Sequence, residues 1–125
     1  MEIWINPACS KCRTALSSLD DAGIDYTVRR YLDEPPTAAE LDAVLTRLGL
    51  EPWDIARTGE DIANELGLAD MTKDRQHWIE VMVANPILIQ RPIITAEDGT
   101  TVVGRTPEKV QQVVEAEQES TRSSA

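Results

Sequence analysis

Residues 3–12 read Ile-Trp-Ile-Asn-Pro-Ala-Cys-Ser-Lys-Cys, which is a short apolar run, a turn signal and a pair of cysteines. A helical pattern follows from about Ser10 and is closed by Gly23. Cys9 is therefore predicted to lie at a strand-to-helix junction, where the first N–H groups of the helix lack backbone partners and favour thiolate over thiol. Cys12 would lie one helical turn later, close enough to Cys9 for disulfide exchange.

Two interpretations of this cysteine pair compete, namely redox chemistry and a structural or metal-binding role. The positive charges of Lys11 and Arg13 favour a reactive thiolate at Cys9. Tetrahedral zinc needs four ligands, whereas the chain contains 2 cysteines and a single histidine, His77. The sequence therefore favours redox chemistry and predicts no metal site.

The composition limits the possible functions. With 125 residues, the chain is predicted to form one domain. Its formal net charge of −10 argues against nucleic acid as a partner, and any anionic substrate would need a local cluster of arginines. We find neither a signal-peptide pattern nor an apolar stretch long enough to cross a membrane, so we expect no membrane partner, a cytoplasmic location and reduced cysteines.

The first third of the chain predicts a βαβ unit. Residues 2–5 and 24–31 have strand patterns, and residues 10–22 between them have a helical one. Such a unit is expected to be parallel and right-handed. It would place the cysteines at the carboxyl edge of the first strand, where open α/β sheets bind ligands.

A block of helices is predicted over about residues 37–84. Thr37, with Glu40 three residues later, is typical of a capping box, and Gly49 would end that helix. The other helical segments predicted in the block are residues 52–55, 60–66 and 72 or 73–84.

The last third predicts a β-hairpin, residues 92–95 and 101–103 around Asp98-Gly99, and then a helix from Thr106-Pro107. The order of elements predicts an α/β, thioredoxin-like fold, with a central mixed sheet flanked by helices and an inserted helical subdomain. The domain would span residues 1–117, and residues 118–125 would form a flexible tail. Pro92 fits the proline that lies opposite the redox cysteine in this fold, often after a cis peptide bond, although it could simply start a strand.

Several motifs together resemble the ArsC family of thioredoxin-fold arsenate reductases, and the resemblance covers nearly the whole chain. The combination of Asn-Pro-x-Cys with Asn-Pro-Ile-Leu-x-x-Arg-Pro, in matching order and separation, is its most specific part. The segments that carry it are Asn6-Pro7-Ala8-Cys9, Tyr31-Leu32 with Pro35-Pro36-Thr37, Glu65-Leu66-Gly67-Leu68, Asn85 to Ile93, and Gly104-Arg105.

The resemblance implies that Cys9 is the nucleophile and that three arginines, Arg57, Arg91 and Arg105, hold the oxyanion. Guanidinium groups suit tetrahedral arsenate because they neutralise its charge and offer paired N–H donors. Each of these arginines could instead be a solvated surface charge. Asn6 is assigned to the substrate site as well, where it would orient the cysteine loop by hydrogen bonds, or it could simply make the turn.

The resemblance also implies a thiol-dependent cycle without a bound cofactor. Cys9 would displace water from arsenate, and a second thiol would then attack sulfur and release arsenite. The family typically obtains this thiol from glutathione or an analogous low-molecular-weight thiol such as mycothiol, and a glutaredoxin-like protein recycles the enzyme.

The chain departs from the family pattern at two positions. Ile5 stands where many glutaredoxin-linked members have a histidine directly before Asn-Pro, and Cys12 stands where they commonly have a hydroxyl residue. Cys12 could close an internal disulfide, which would favour a thioredoxin-type or mycoredoxin-type reductant. The same CxxC pair leaves two alternatives open: an Spx-like redox-sensing regulator that binds RNA polymerase, and an ArsC-like thiol-disulfide oxidoreductase without arsenate activity.

Overall fold

The computed structural model describes residues 1–123, and contacts divide the chain into two compact units. The first unit comprises residues 1–31 and the chain from residue 91 onward, and the second comprises residues 32–90. The second unit is somewhat longer at both ends than the helical insert predicted over about 37–84. Among the described residues, none of the helices is both long enough and apolar enough to cross a membrane.

The first unit contains a four-stranded mixed sheet in the order β2-β1-β3-β4. Strand β1 pairs with β2 in parallel and with β3 antiparallel, and β3 pairs antiparallel with β4, so both the βαβ unit and the hairpin are confirmed. The sheet with its flanking helices is a thioredoxin-like fold. Its elements are β1 (Glu2–Ile5), α1 (Ser10–Asp21), β2 (Thr27–Arg30), β3 (Ile93–Thr95), β4 (Thr101–Val103) and α5 (Pro107–Ser123). Helices α2 to α4 belong to the second unit and are described below.

The core of this unit explains why α1 and α5 cover the sheet. Ala15 and Leu19 from α1 and Val113 from α5 are fully buried with Ile3 of β1 and Ile94 of β3. Cys12 belongs to the same buried cluster. Burying such side chains stabilises the unit by about 1.5–3 kcal/mol for each large aliphatic residue.

The second unit is helical, as predicted. It contains α2 (Ala38–Leu48), α3 (Asp61–Glu65) and α4 (Arg75–Ala84), with 3₁₀ turns at Pro52–Asp54, Leu68–Asp70 and Pro86–Leu88. The capping box at the start of α2 is present, because Thr37 Oγ1 accepts from the N–H of Glu40 at 3.1 Å and the Glu40 carboxylate accepts from the N–H of Thr37 at 3.0 Å. Gly49 ends α2 with a φ of 69°, a left-handed conformation that favours glycine.

Two elements begin two or more residues later than the sequence predicted. Strand β2 begins at Thr27 and not at Ile24, because the N–H of Ile24 donates to the carbonyl of Leu19 at the end of α1. Helix α4 begins at Arg75, because the Asp74 side chain caps it by accepting two backbone N–H groups.

The last helix is the clearest correction. Helix α5 continues through Ser123, so the tail predicted for residues 118–125 is helical up to that residue, and residues 124 and 125 lie outside the described part of the chain. No glycine or proline follows Pro107, and glutamate, glutamine and alanine are good helix formers. The buried Glu117 carboxylate also lies 3.4 Å from the amino group of Met1, which ties this part of α5 to β1.

Candidate active site

Cys9 is held at the start of α1 by a tight turn after β1. The backbone N–H of Cys9 donates to the carbonyl of Asn6 at 2.9 Å, and the Asn6 side chain accepts from the N–H of Ala8 at 3.0 Å. Cys9 is the N-cap residue of α1, with an extended backbone, so its side chain faces the first turn of the helix. Asn6 is buried and therefore holds the turn; its contact with substrate stays a prediction.

Cys9 has the acidity expected of a nucleophilic thiol. Partial burial raises its pKa, but hydrogen bonds from the N–H of Cys12, the guanidinium of Arg91, the N–H of Lys11 and the thiol of Cys12 outweigh this effect. The pKa falls from 9.0 to about 7. Lys11 thus acts through its backbone. The guanidinium of Arg13, which was expected to favour the thiolate, instead donates to the carbonyl of Pro7 at 3.2 Å.

Cys12 differs from Cys9 in exposure and in acidity. It is fully buried, whereas Cys9 is half-buried, and neither cysteine forms a disulfide. Burial and the neighbouring charge of Cys9 raise the pKa of Cys12 to about 11, although the backbone of Asn6 acts in the opposite direction. At neutral pH, Cys12 is therefore a thiol beneath the Cys9 thiolate.

Arg91 supplies the positive charge at the sulfur. Its side chain is only 7% exposed, and its guanidinium donates to Cys9. Burial lowers the pKa of Arg91, but Tyr31 and Cys9 raise it above its ordinary value, so the guanidinium stays charged at neutral pH. Buried charges of this kind are retained only where partners compensate for the lost hydration.

The peptide bond between Arg91 and Pro92 is cis, as the position of Pro92 before the third strand suggested. The N–H of Gly104 donates to the carbonyl of Pro92 at 2.8 Å. A Cβ atom at Gly104 would lie 2.8 Å from Ile94 Cδ1 and 3.3 Å from Pro92 Cγ, closer than the packing permits. The missing side chain therefore lets β4 pass closely behind the Arg91-Pro92 segment.

Arg105 lies beside Arg91. Its Nη1 donates to the backbone carbonyl of Arg91 at 2.8 Å. This bond attaches the residues that directly follow β4 to the segment that carries the buried guanidinium. Arg105 is half-buried, which leaves part of its side chain open to solvent. Two of the three arginines predicted for the oxyanion site, Arg91 and Arg105, are thus linked to each other by this hydrogen bond, and Arg91 contacts Cys9.

Arg57 belongs to the second unit. Its Nε donates to the carboxylate of Glu60 at 3.1 Å, and its backbone N–H donates to the carbonyl of Leu88 at 2.7 Å. Arg57 and Glu60 border a depression of about 380 Å³, which is also lined by Gly59 and Gln90. The predicted role of Arg57 toward an oxyanion stays a prediction.

Tyr31 is a residue of this site that the sequence reasoning missed. Its side chain is fully buried, and it interacts with the guanidinium of Arg91. Tyr31 directly follows β2, so it lies at the same carboxyl edge of the parallel strand pair as the cysteine turn. Only its place in a family-like Tyr-Leu motif could have indicated a role, because nothing in its local pattern distinguishes it from a core tyrosine.

A larger depression, of about 620 Å³, lies at the opposite end of the sheet. It is bordered by Ala22 to Asp25 after α1 and by Glu97 and Glu117. These carboxylates would repel an anion. Among the described residues, no group of three or more histidine, cysteine, aspartate or glutamate side chains is arranged to hold a metal ion.

Comparisons with known proteins show relatives that match nearly the whole chain. The chain is 61% identical over 113 residues to an uncharacterized protein in the glnII region of Streptomyces viridochromogenes, covering 88% of this chain and 95% of that protein. It is 37% identical over 115 residues to an arsenate reductase of Neisseria meningitidis serogroup A, covering 91% and 97% of the two chains. A solved structure of an arsenate reductase from Vibrio cholerae superimposes with a TM-score of 0.84 at 35% identity, covering 90% of this chain and 98% of that one. The model of the ArsC family matches residues 4–113, and the chain belongs to that family.

Proposed function

We propose that this protein reduces arsenate to arsenite, with Cys9 as the nucleophile. The observation that carries the proposal is the sulfur of Cys9 at the N-terminus of α1, hydrogen-bonded to the buried guanidinium of Arg91. A thiolate can attack an anion only where positive charge offsets their repulsion, and this arrangement provides it. The names of relatives such as the arsenate reductase of Neisseria meningitidis point to the same substrate.

The first step forms a bond between Cys9 Sγ and arsenic. An arsenate oxygen takes up protons and leaves as water, and arsenic stays pentavalent in the resulting cysteinyl arsenate. Arg91 and Arg105 would neutralise the oxygens of the anion, and the N–H groups at the start of α1 would assist them. Arg57 is the third arginine that the family resemblance assigns to this task.

The second step needs electrons from a thiol. A thiol sulfur attacks Cys9 Sγ, a disulfide forms, and the sulfur–arsenic bond breaks with its electron pair moving to arsenic, which leaves as trivalent arsenite. We propose that glutathione or mycothiol, or a thioredoxin- or glutaredoxin-type protein, closes the cycle in a reducing cytoplasm. No cofactor bound to the protein takes part in either step.

A steady-state assay of arsenate-dependent arsenite formation tests the proposal. Purified protein is supplied in turn with glutathione and glutaredoxin, mycothiol and mycoredoxin, or thioredoxin and its reductase. We expect turnover with at least one of these systems and none with Cys9→Ser under any of them. Wild-type protein that forms no arsenite with all three would refute the proposal.

The cysteine pair also supports a second candidate, a redox-sensing regulator like the Spx proteins. A regulator of this kind would bind RNA polymerase in a manner that depends on the oxidation state of Cys9 and Cys12, and would not turn over arsenate. Pull-down of polymerase by the reduced and oxidised forms, measured beside the arsenite assay, separates the two functions. Arg105 beside Arg91 favours the enzyme, because one cation suffices to activate a redox-sensing thiol, whereas paired guanidinium groups suit an oxyanion.

A further inference from the structure

Cys9 and Cys12 occupy the N-cap and the third position of α1. Residues three apart in a helical turn lie on one face, with Cβ atoms about 5–6 Å apart. The two thiol groups are also hydrogen-bonded to each other. The sulfurs therefore face one another, at a separation that rotation about the side-chain bonds can close to a disulfide.

The two positions are unequal in access. Cys9 is half-buried, and the rest of its surface is open to solvent, whereas Cys12 has an exposed fraction of 0% within the core of the first unit. A substrate from solution can reach only Cys9. Conversely, Cys9 is the one cysteine in the chain with which Cys12 can form an internal disulfide, because the sequence contains no third cysteine.

We propose that Cys12 is the resolving thiol of the reaction, and that the product of the first turnover is an internal Cys9–Cys12 disulfide. This inference rests on the proposed arsenate reductase function. The Cys12 sulfur attacks Cys9 Sγ in the cysteinyl arsenate, the S–S bond forms, and the S–As bond breaks with its electron pair on arsenic. The proton of Cys12 passes to an oxygen of the departing arsenite. The two sulfurs together lose two electrons, and arsenic gains them.

This step determines the kind of partner that the protein needs. Arsenite release requires no external thiol, and the oxidised protein holds a disulfide between residues only three apart. A dithiol protein that reduces disulfides, with two cysteines of its own, is the reductant that matches such a product. A mixed disulfide with glutathione would be at most transient, since Cys12 would displace it.

A single-turnover experiment tests this order of events. The protein is reduced, freed of all added thiol and mixed with excess arsenate, and arsenite, free thiols and intact mass are then measured. Wild-type protein should release about one arsenite per chain, lose both thiols and lose the mass of two hydrogen atoms. Cys12→Ser, which keeps the side-chain size but removes the sulfur, should release none until glutathione is added.

Each result has a distinct meaning. Wild-type protein that keeps both thiols until glutathione is added, while turning over with glutathione afterwards, would overturn the resolving role and leave the proposed function intact. Equal arsenite release by Cys12→Ser without added thiol would also overturn it. Wild-type protein that forms no arsenite with any thiol system contradicts the proposed function itself.

A second measurement does not depend on arsenate. Oxidised glutathione is used as the probe, because the thiolate of Cys9 attacks it and becomes glutathionylated. Cys12 should then displace glutathione, so the wild-type protein should end with an internal disulfide and no added mass, whereas Cys12→Ser should retain one glutathione. Wild-type protein that retains the adduct would refute the resolving role, whatever its activity on arsenate.

Discussion

Replacing Arg91 with glutamine should separate two effects of one guanidinium, on the acidity of Cys9 and on the binding of the oxyanion. The guanidinium is one of four groups whose hydrogen bonds bring the pKa of Cys9 from 9.0 to about 7. The other three are two backbone N–H groups of α1 and the thiol of Cys12, which the substitution leaves in place. The pKa of Cys9 should therefore rise only part of the way toward its ordinary value.

A loss of one charged donor corresponds to a rise in pKa of about one unit. At pH 7 the thiolate fraction of Cys9 would then fall from about one half to about one tenth. Alkylation by iodoacetamide at pH 7 should slow by about fivefold, with an unchanged plateau at high pH. Since deprotonation creates the nucleophile, the rate rises with pH through about 7 in the wild-type protein and through about 8 in Arg91→Gln.

The effect on arsenate should be larger than the effect on alkylation. Hydrogen bonds to charged groups contribute about 1.5–3 kcal/mol each, so loss of one from the oxyanion adds roughly a 10- to 150-fold decrease in kcat/KM. The measurement compares the alkylation profile from pH 5 to 10 with kcat/KM for arsenate on the same protein preparations. Iodoacetamide is neutral and does not need an anion site, so it reports only the thiolate.

Arg105→Gln is the matched control. Arg105 donates to the backbone carbonyl of Arg91, and it is not among the groups that shift the pKa of Cys9. Its substitution should lower kcat/KM for arsenate while leaving the alkylation midpoint near pH 7. An Arg91→Gln variant that unfolds at the wild-type temperature and keeps the wild-type alkylation midpoint would refute the assignment of Arg91 to the sulfur.

Three further substitutions test the supports of the site and of the fold. Tyr31→Phe removes the hydroxyl group beside the guanidinium of Arg91 and should lower kcat/KM for arsenate by about 2- to 10-fold. Tyr26→Phe is its control, because the Tyr26 hydroxyl donates to an exposed aspartate at 2.6 Å and its loss should leave kcat/KM unchanged. Equal values for the two variants would contradict a role of Tyr31 in positioning Arg91. Gly104→Ala introduces a Cβ 2.8 Å from a buried isoleucine methyl group and should lower the free energy of unfolding by about 1–3 kcal/mol in urea denaturation, and a neutral result would mean that β4 has room to shift. Thr37→Ala removes the N-cap oxygen of α2 and should lower the same free energy by about 1 kcal/mol, whereas a loss well below that would show that the helix end is satisfied by water instead.

The sequence predicted those features whose causes are local. The capping box needs only Thr37 and a glutamate three residues later, and the cysteine turn needs only a strand, Asn-Pro and a helix start. The mixed sheet also followed, because a βαβ unit and a hairpin have few ways to share one sheet. For the same reason the position of Cys9 at the carboxyl edge of β1 was predictable.

Features that depend on distant parts of the chain were not predictable in this way. Tyr31 and Arg91 are 60 positions apart in sequence, and only the pairing of β1 with both β2 and β3 brings them together. The bond from Arg105 to the carbonyl of Arg91 likewise depends on the hairpin register. Arg13 shows the reverse case. Its closeness to Cys9 in sequence suggested that its charge would lower the pKa of Cys9. Its guanidinium instead donates to the carbonyl of Pro7, and Arg13 is not among the groups that shift this pKa.

The proposed reaction presents an electrostatic conflict, because the protein, the thiolate and the proposed substrate are all negatively charged. The short contacts at Cys9 resolve it. Charges more than about 8 Å apart at the surface are largely screened at physiological ionic strength. Although the net charge is −10, the groups that shift the pKa of Cys9 include no carboxylate of the described residues. The groups that contact the sulfur are the N–H donors of α1, the Cys12 thiol and the Arg91 guanidinium, and their direct hydrogen bonds are not screened in this way. Because Arg91 is 7% exposed, little water competes for its charge. The buried arginine thus explains how, in the proposed reaction, a protein with this overall charge would present a nucleophilic sulfur to an oxyanion.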